Sequence, residues 1–279
     1  MKSAKGRYLA FPDVDDTFEP EMYEELYALA DSEDYDVVFS GVKYYRQTEK
    51  GNVYDREQTL EATSFLTKED CRKNIMTFFP TTTIFDSPCN KLYKRSIAEE
   101  NQIVFPDIRR CQDAAFNIDF FNRISSVIST DKAYYRYMEN TAADVQRKFP
   151  KDYFDIIAFY YQHLIGIISS WGMYEGDIKR HYDTTVVISV FKAMMMFDNP
   201  RWALSKEEQK EYVLHILNRA DMRAMLEGAD IREDALWMYR IILEKDYNAF
   251  MKYYRKEKRK EKLRENKLLM KAYHTIKRN

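Results

Sequence analysis

Ala4-Lys5-Gly6-Arg7-Tyr8-Leu9-Ala10-Phe11-Pro12-Asp13-Val14-Asp15-Asp16 is the stretch on which the fold of this chain turns. Its apolar run, Tyr8 to Phe11, reads as a buried strand. Pro12 and a cluster of carboxylates end it. Asp13 and Asp15, one residue apart at a strand end, can converge on a single hard cation. Mg²⁺ or Mn²⁺ held this way keeps positions open for phosphate oxygens and would neutralise a departing diphosphate. An acidic turn that caps the next helix accounts for the same residues, and the local pattern leaves both readings open. An EF-hand loop would place ligands at Asp13, Asp15, Thr17 and Glu24, but Phe18 stands where its sharp turn demands Gly.

Working outward, Pro20 suits the first turn of a helix, and Met22, Leu26, Leu29 and Ala30 recur at helical spacing. Tyr35 to Tyr45 is rich in Val, Phe and Tyr and predicts a second strand. Gly51-Asn52 signals a turn before a further extended piece. Thr67 with Asp70 resembles a capping box, and Pro80 is expected to stop the helix that follows. Gln112 to Ile124 reads as a helix with Phe116, Phe120, Phe121 and Ile124 on one face. Ser125 to Ile128 and Ala133 to Tyr137 are expected as two short strands. From Lys151 the strand signals disappear. Helices are expected at about 152–171, 177–197, 206–226, 231–243 and 245–275, the third opened by a capping box of Ser205 and Glu208. A boundary near Phe149-Pro150 therefore separates a mixed part, 1–149, from an all-helical part, 150–279.

Composition agrees with this division. The 279 residues include only 7 Gly and 7 Pro, which argues against a loop-rich all-β fold. A chain of this length buries roughly 75% of its extended surface and needs no disulfide staple. Tyr and Phe together number 39. They fill a core or, on exposed loops, stack against sugars. Cys71, Cys89 and Cys111 match no zinc spacing and read as reduced thiols. The four histidines, His163, His181, His215 and His274, share no metal-ligand spacing either. No apolar leader is visible at the start, and the longest apolar stretch, Ile156 to Ile168, is too short to span a bilayer. A cytoplasmic location is expected, or a peripheral one at the inner face of the membrane. Residues 251–279 hold twelve Lys/Arg against three Glu, a local +9, so the remainder carries −10 out of a net −1. The basic segment 252–279 interleaves Leu263, Leu268, Leu269 and Ile276. It suits either an anionic membrane surface or a solvated helix. Nucleic acid is not expected as a partner, because the acidic remainder repels phosphate.

Two families resemble the acidic segment. The run Tyr8 to Thr17 is similar to the opening motif of haloacid dehalogenase-like phosphatases, which would make Asp13 a nucleophile and Asp15 a general acid. That family also needs a Gly-Asp acidic loop, and Gly176-Asp177 lies in helical sequence. Five segments in order resemble the inverting family 2 glycosyltransferases. Residues 4–16 are similar to that family's G-x-Y-x-x-F-x-D-S-D-D strand, and Phe18 to Leu26 to the helix after it. Tyr35 to Val42 resembles its D-V-V-x-x-G strand. Asn90-Lys91-Leu92-Tyr93-Lys94-Arg95 resembles a segment ahead of its acceptor site. Phe105 through Asp113 resembles its E-D element.

The glycosyltransferase resemblance covers about residues 4–140 and implies an α/β fold, an incomplete GT-A (Rossmann-like) mixed sheet followed by the helical region. It implies that Asp15 binds Mn²⁺ or Mg²⁺, that Asp13 shares the metal or contacts the ribose, and that Asp113 is the general base. Gln112 stands where the family often has Glu. Asp13, Asp16, Asn90, Lys91, Arg109, Arg110 and Gln112 are expected to contact donor or substrate, the two arginines by holding phosphates; a solvated basic turn accounts for Arg109 and Arg110 equally well. The implied partners are a nucleotide-sugar donor, UDP-linked, and a glycan or lipid-linked acceptor. Family members carry roughly three βα units before the acidic motif, about 30 residues each. A partner chain completing the donor site, and a remnant that binds without catalysis, are therefore kept as expectations.

Overall fold

The computed structural model describes residues 3–48, 51–78, 84–139 and 149–276, which form two compact units, 1–178 and 179–279. The first unit is built on a mixed sheet. Its strands are β1 (Tyr8–Leu9), β2 (Thr17–Phe18), β3 (Val37–Thr48), β4 (Gly51–Gln58), β5 (Thr63–Phe65), β6 (Lys91–Lys94) and β7 (Val127–Glu139). The order is β1-β6-β3-β7-β2, with β4 added to β3 and β5 to β7. The β3–β7 pair is parallel and every other pair antiparallel.

Helix α1 (Met22–Ser32) buries Met22, Leu26 and Ala30, the face its spacing predicts. The Tyr8 hydroxyl donates to the Ala30 and Tyr35 carbonyls at 3.0 and 2.9 Å, tying β1 to the end of that helix. Helices α2 (Lys68–Phe78), α3 (Arg95–Glu100) and α4 (Gln112–Phe121) follow, then α5 (Tyr153–Ser170). At the start of α2 the Asp70 N–H donates to Thr67 Oγ1 at 3.2 Å. Pro80, expected to stop α2, lies outside the described residues. The core between sheet and α4 is aromatic. Phe105 stacks on Phe116 at 4.2 Å, and Phe39, Phe85 and Phe121 pack within 6.2 Å of one another. Buried Asn117 accepts from the Tyr93 hydroxyl at 2.5 Å and donates to the Phe85 and Asp86 carbonyls.

The two short strands expected at 125–128 and 133–137 are one strand, β7. The polar run Thr130-Asp131-Lys132 between them is a bulge. Ser129 pairs with Phe39 and Ala133 with Gly41, so three residues of β7 face Ser40 alone. The bulge needs Gly41. A Cβ there would stand 2.6 Å from the Gln58 carbonyl oxygen and 3.1 Å from Ala133 Cβ. Gly41→Ala is expected to destabilise the chain by about 1–3 kcal/mol through this overpacking, read as a lower midpoint in urea unfolding.

In the second unit α6 (Gly176–Met195), which begins in the first, leads into α7 (Lys206–Asn218), α8 (Ala220–Leu226), α9 (Leu236–Leu243) and α10 (Tyr247–Ile276). The capping box opens α7: Glu208 N–H donates to Ser205 Oγ and Ser205 N–H to Glu208 Oε2. The single helix expected over 206–226 is two, because Arg219 takes extended backbone and turns its guanidinium onto Asp221 in the next first turn. Val190, Phe191, Met194, Leu217 and Phe250 are among the residues that fill this unit's core. No helix among the described residues is long and apolar enough to cross a membrane. The basic segment 252–279 is helical to Ile276, but its side chains beyond Leu263 lie outside the described residues.

Candidate active site

Pro12 ends the extension of β1, and Asp13 to Asp16 close a turn in which the Asp16 N–H donates to the Asp13 carbonyl at 3.3 Å. Ligand oxygens of Asp13, Asp15 and Asp16 lie within 4.8 Å of one another. Strand β7 holds the turn at both ends. The Asp13 N–H donates to Tyr135 Oη at 3.0 Å, and that hydroxyl donates to Asp16 Oδ2 at 2.8 Å. The Met138 N–H donates to Asp16 Oδ1 at 2.8 Å. Both Asp16 oxygens are therefore engaged by the protein. Burial pushes the Asp16 carboxyl above its usual range, against these two hydrogen bonds. Asp13 and Asp15 are exposed. The Cys89 thiol donates to Asp13 Oδ2 at 3.4 Å.

Asp113 sits in the first turn of α4, where the chain enters through Cys111 at φ 60°. A non-glycine residue in that left-handed region carries strain that the surroundings must hold. Asp113 and Asp13 line one open cleft of about 620 Å³ in the first unit, together with Asp86, Arg110 and Glu139. The Asp113 carboxyl is raised above its ordinary value, first by burial and then by the Asp13 charge, with Lys91 opposing. Burial likewise pushes Asp86 up to about 6, with Lys91 lowering it and Asp113 raising it. The lining is rich in tyrosine: Tyr44, Tyr135 and Tyr137 come from the sheet, and Tyr153, Tyr160 and Tyr161 from α5. Arg56, stacked 4.1 Å over the Tyr44 ring, is ion-paired with Glu139 at 2.7 Å.

The remaining predicted residues are scattered. Asn90 and Lys91 are fully buried and line no part of the cleft. Lys91 Nζ donates to the Ile84 and Ser87 carbonyls and to Asn90 Oδ1, which accounts for all three of its protons. Burial depresses its pKa to about 7, whereas its three acceptors favour the ammonium. Asn90 Nδ2 donates to the Ser40 carbonyl. These two side chains hold the 84–90 segment in place. Arg109 is exposed and paired with Asp152 at 2.6 Å. Gln112 does not line the cleft, and its Oε1 is buried without a hydrogen-bond partner among the described residues. Gly176 and Asp177, required by the phosphatase reading as an acidic loop at a strand end, instead open α6 and line no part of the cleft. Asp86 carried no signal beyond an acid ahead of Ser87-Pro88.

Three comparisons show what this chain is similar to. Residues 1–102 match the family model Glycosyl transferase family 2. The uncharacterized glycosyltransferase EpsJ of Bacillus subtilis (strain 168) is 31% identical over 141 residues, which are 50% of this chain and 40% of that protein. The uncharacterized glycosyltransferase YibD of Escherichia coli (strain K12) is 29% identical over 147 residues, 51% of this chain and 41% of that protein. The chain thus spans about two fifths of the length of the curated relatives it matches. The crystal structure of S. aureus TarS 1-349 shares the fold, with a TM-score of 0.50 at 18% identity over 92% of this chain and 68% of that one. A mixed sheet of the GT-A kind with a helical C-terminal region is the architecture.

Proposed function

We propose that the chain transfers a sugar, with inversion, from a nucleotide-sugar donor to a glycan or lipid-linked acceptor. The observation that carries this is the meeting, in one cleft, of Asp13, one of a turn of three clustered carboxylates, with a raised carboxyl at Asp113; Asp15 and Asp16 stand beside Asp13 outside the lining. A volume of about 620 Å³ lies in the range of pockets that enclose drug-sized ligands. Oxygen-only ligands within 4.8 Å suit Mg²⁺ or Mn²⁺. With Asp16 engaged by Tyr135 and Met138, Asp15 and Asp13 are the carboxylates left to hold the ion. A bound cation would neutralise the diphosphate as it leaves.

Asp113 does the proton work. As the acceptor hydroxyl oxygen bonds to the anomeric carbon, Asp113 takes the hydroxyl proton and the bond to the diphosphate breaks with its electron pair. The raised affinity of Asp113 for a proton makes it a stronger base than an exposed carboxylate. The tyrosine wall would offer the acceptor ring faces to stack on, and the basic stretch 252–279 suits an acceptor held at an anionic lipid surface. Isothermal titration with UDP, GDP and dTDP, each with and without Mn²⁺, tests the reading. Metal-dependent binding of one of them is expected. Failure of all three would sink the donor assignment and leave a chain that binds without transferring.

A further inference from the structure

The cleft is lined by four carboxylates, Asp13, Asp86, Asp113 and Glu139, and by two cations, Arg56 and Arg110. Arg56 is spent on Asp55 and Glu139. Arg110 is half-buried and, among the described residues, pairs with no carboxylate. Its guanidinium lies 4.2 Å over the Phe149 ring and 6.0 Å from Tyr153. Stacking uses the face of the guanidinium, and among the described residues the N–H donors around its edge make no hydrogen bond. A partly desolvated cation with unused donors in a cleft fits an anionic ligand, and a planar fork matches phosphate oxygens two at a time.

We infer that Arg110 anchors a phosphate group of a substrate in this cleft, and that Arg109 takes no part. Asp152 occupies Arg109 at the surface, and Arg109 lies outside the cleft lining. Lys91, the other buried cation nearby, has no proton left to offer. The phosphate belongs to the donor's diphosphate or to a phosphorylated acceptor, an assignment that rests on the proposed transfer reaction. The anchor itself does not depend on that choice.

Titration of Mg²⁺–UDP, and of inorganic phosphate in the presence of saturating Mg²⁺–UDP, distinguishes the two sources. Loss of one charge-assisted contact is expected to weaken binding about tenfold or more. If the donor supplies the phosphate, Arg110→Gln weakens UDP. If the acceptor supplies it, Arg110→Gln leaves UDP unchanged and weakens phosphate. Arg109→Gln changes neither by more than about twofold in either case. Phenylglyoxal labelling of Arg110 in the unmodified chain gives a readout that needs no variant, with protection expected from whichever ligand it holds. Unchanged affinity of Arg110→Gln for both ligands overturns the inference and leaves the transfer proposal intact. So does unprotected labelling of Arg110. Should the unmodified chain ignore UDP, the donor reading fails and the phosphate arm alone decides the anchor.

Discussion

Asp15→Asn is expected to remove metal-dependent nucleotide binding and to cut transfer on the order of 10³-fold. Asp15 is exposed on the turn, and of its two partners in the cluster Asp16 is already fully engaged. Asp16 gives both oxygens to Tyr135 and Met138, and Asp13 shares one with Cys89. Neutralising Asp15 leaves one carboxylate for the cation. A metal ion at a leaving diphosphate is worth several kcal/mol, and about 4 kcal/mol is 10³ in rate. Because Asp15 makes no hydrogen bond among the described residues, thermal unfolding of the variant should match the parent. Equal Mn²⁺-dependent UDP affinity in Asp15→Asn and parent would remove Asp15 from the metal site.

Asp113→Asn is expected to lower kcat by about 10²–10⁴ while leaving the affinity for Mn²⁺–UDP unchanged. Amide for carboxylate keeps the shape at the start of α4 and removes the proton acceptor. The parent should also show a characteristic pH dependence. Burial, with Asp13 adding to it, raises the Asp113 proton affinity. The base works only when ionised, so the rate rises with pH as Asp113 loses its proton. That acid limb lies above the ordinary carboxylate range of about 3.9, and Asp113→Asn should lack it. A parent-like rate in Asp113→Asn would require a different base, and Asp86, in the same cleft, would be the first to examine.

Sequence gave access to the elements whose signals are local. Strand, Pro12 and carboxylates in succession mark the acid turn, and the Phe116, Phe120, Phe121 spacing marks the helix that carries Asp113. Ser205 and Glu208 mark a helix start by their own hydrogen bonds. What stayed hidden depends on partners distant along the chain. Asn90-Lys91 reads as a polar segment open to ligand because nothing nearby tells that Phe39 and the 84–87 carbonyls enclose it. The continuity of β7 was masked by Thr130-Asp131-Lys132, whose polar character looks like a chain break until Gly41 opposite makes room for it. Asp86 becomes notable only through its neighbours Lys91 and Asp113, five and twenty-seven positions on.

The clasp between Tyr135, Met138 and the acid turn ties the proposed cation site to strand alignment. Side chains alternate along a strand, so sliding β7 by a single position would swing Tyr135 to the opposite side of the sheet. The carboxylates would then lose the hydroxyl that holds Asp13 and Asp16 together. If the turn holds the proposed cation, manganese uptake by a freshly refolded sample would gauge correct threading of the sheet, and it is expected to recover only as the central strands lock, later than bulk collapse measured by fluorescence.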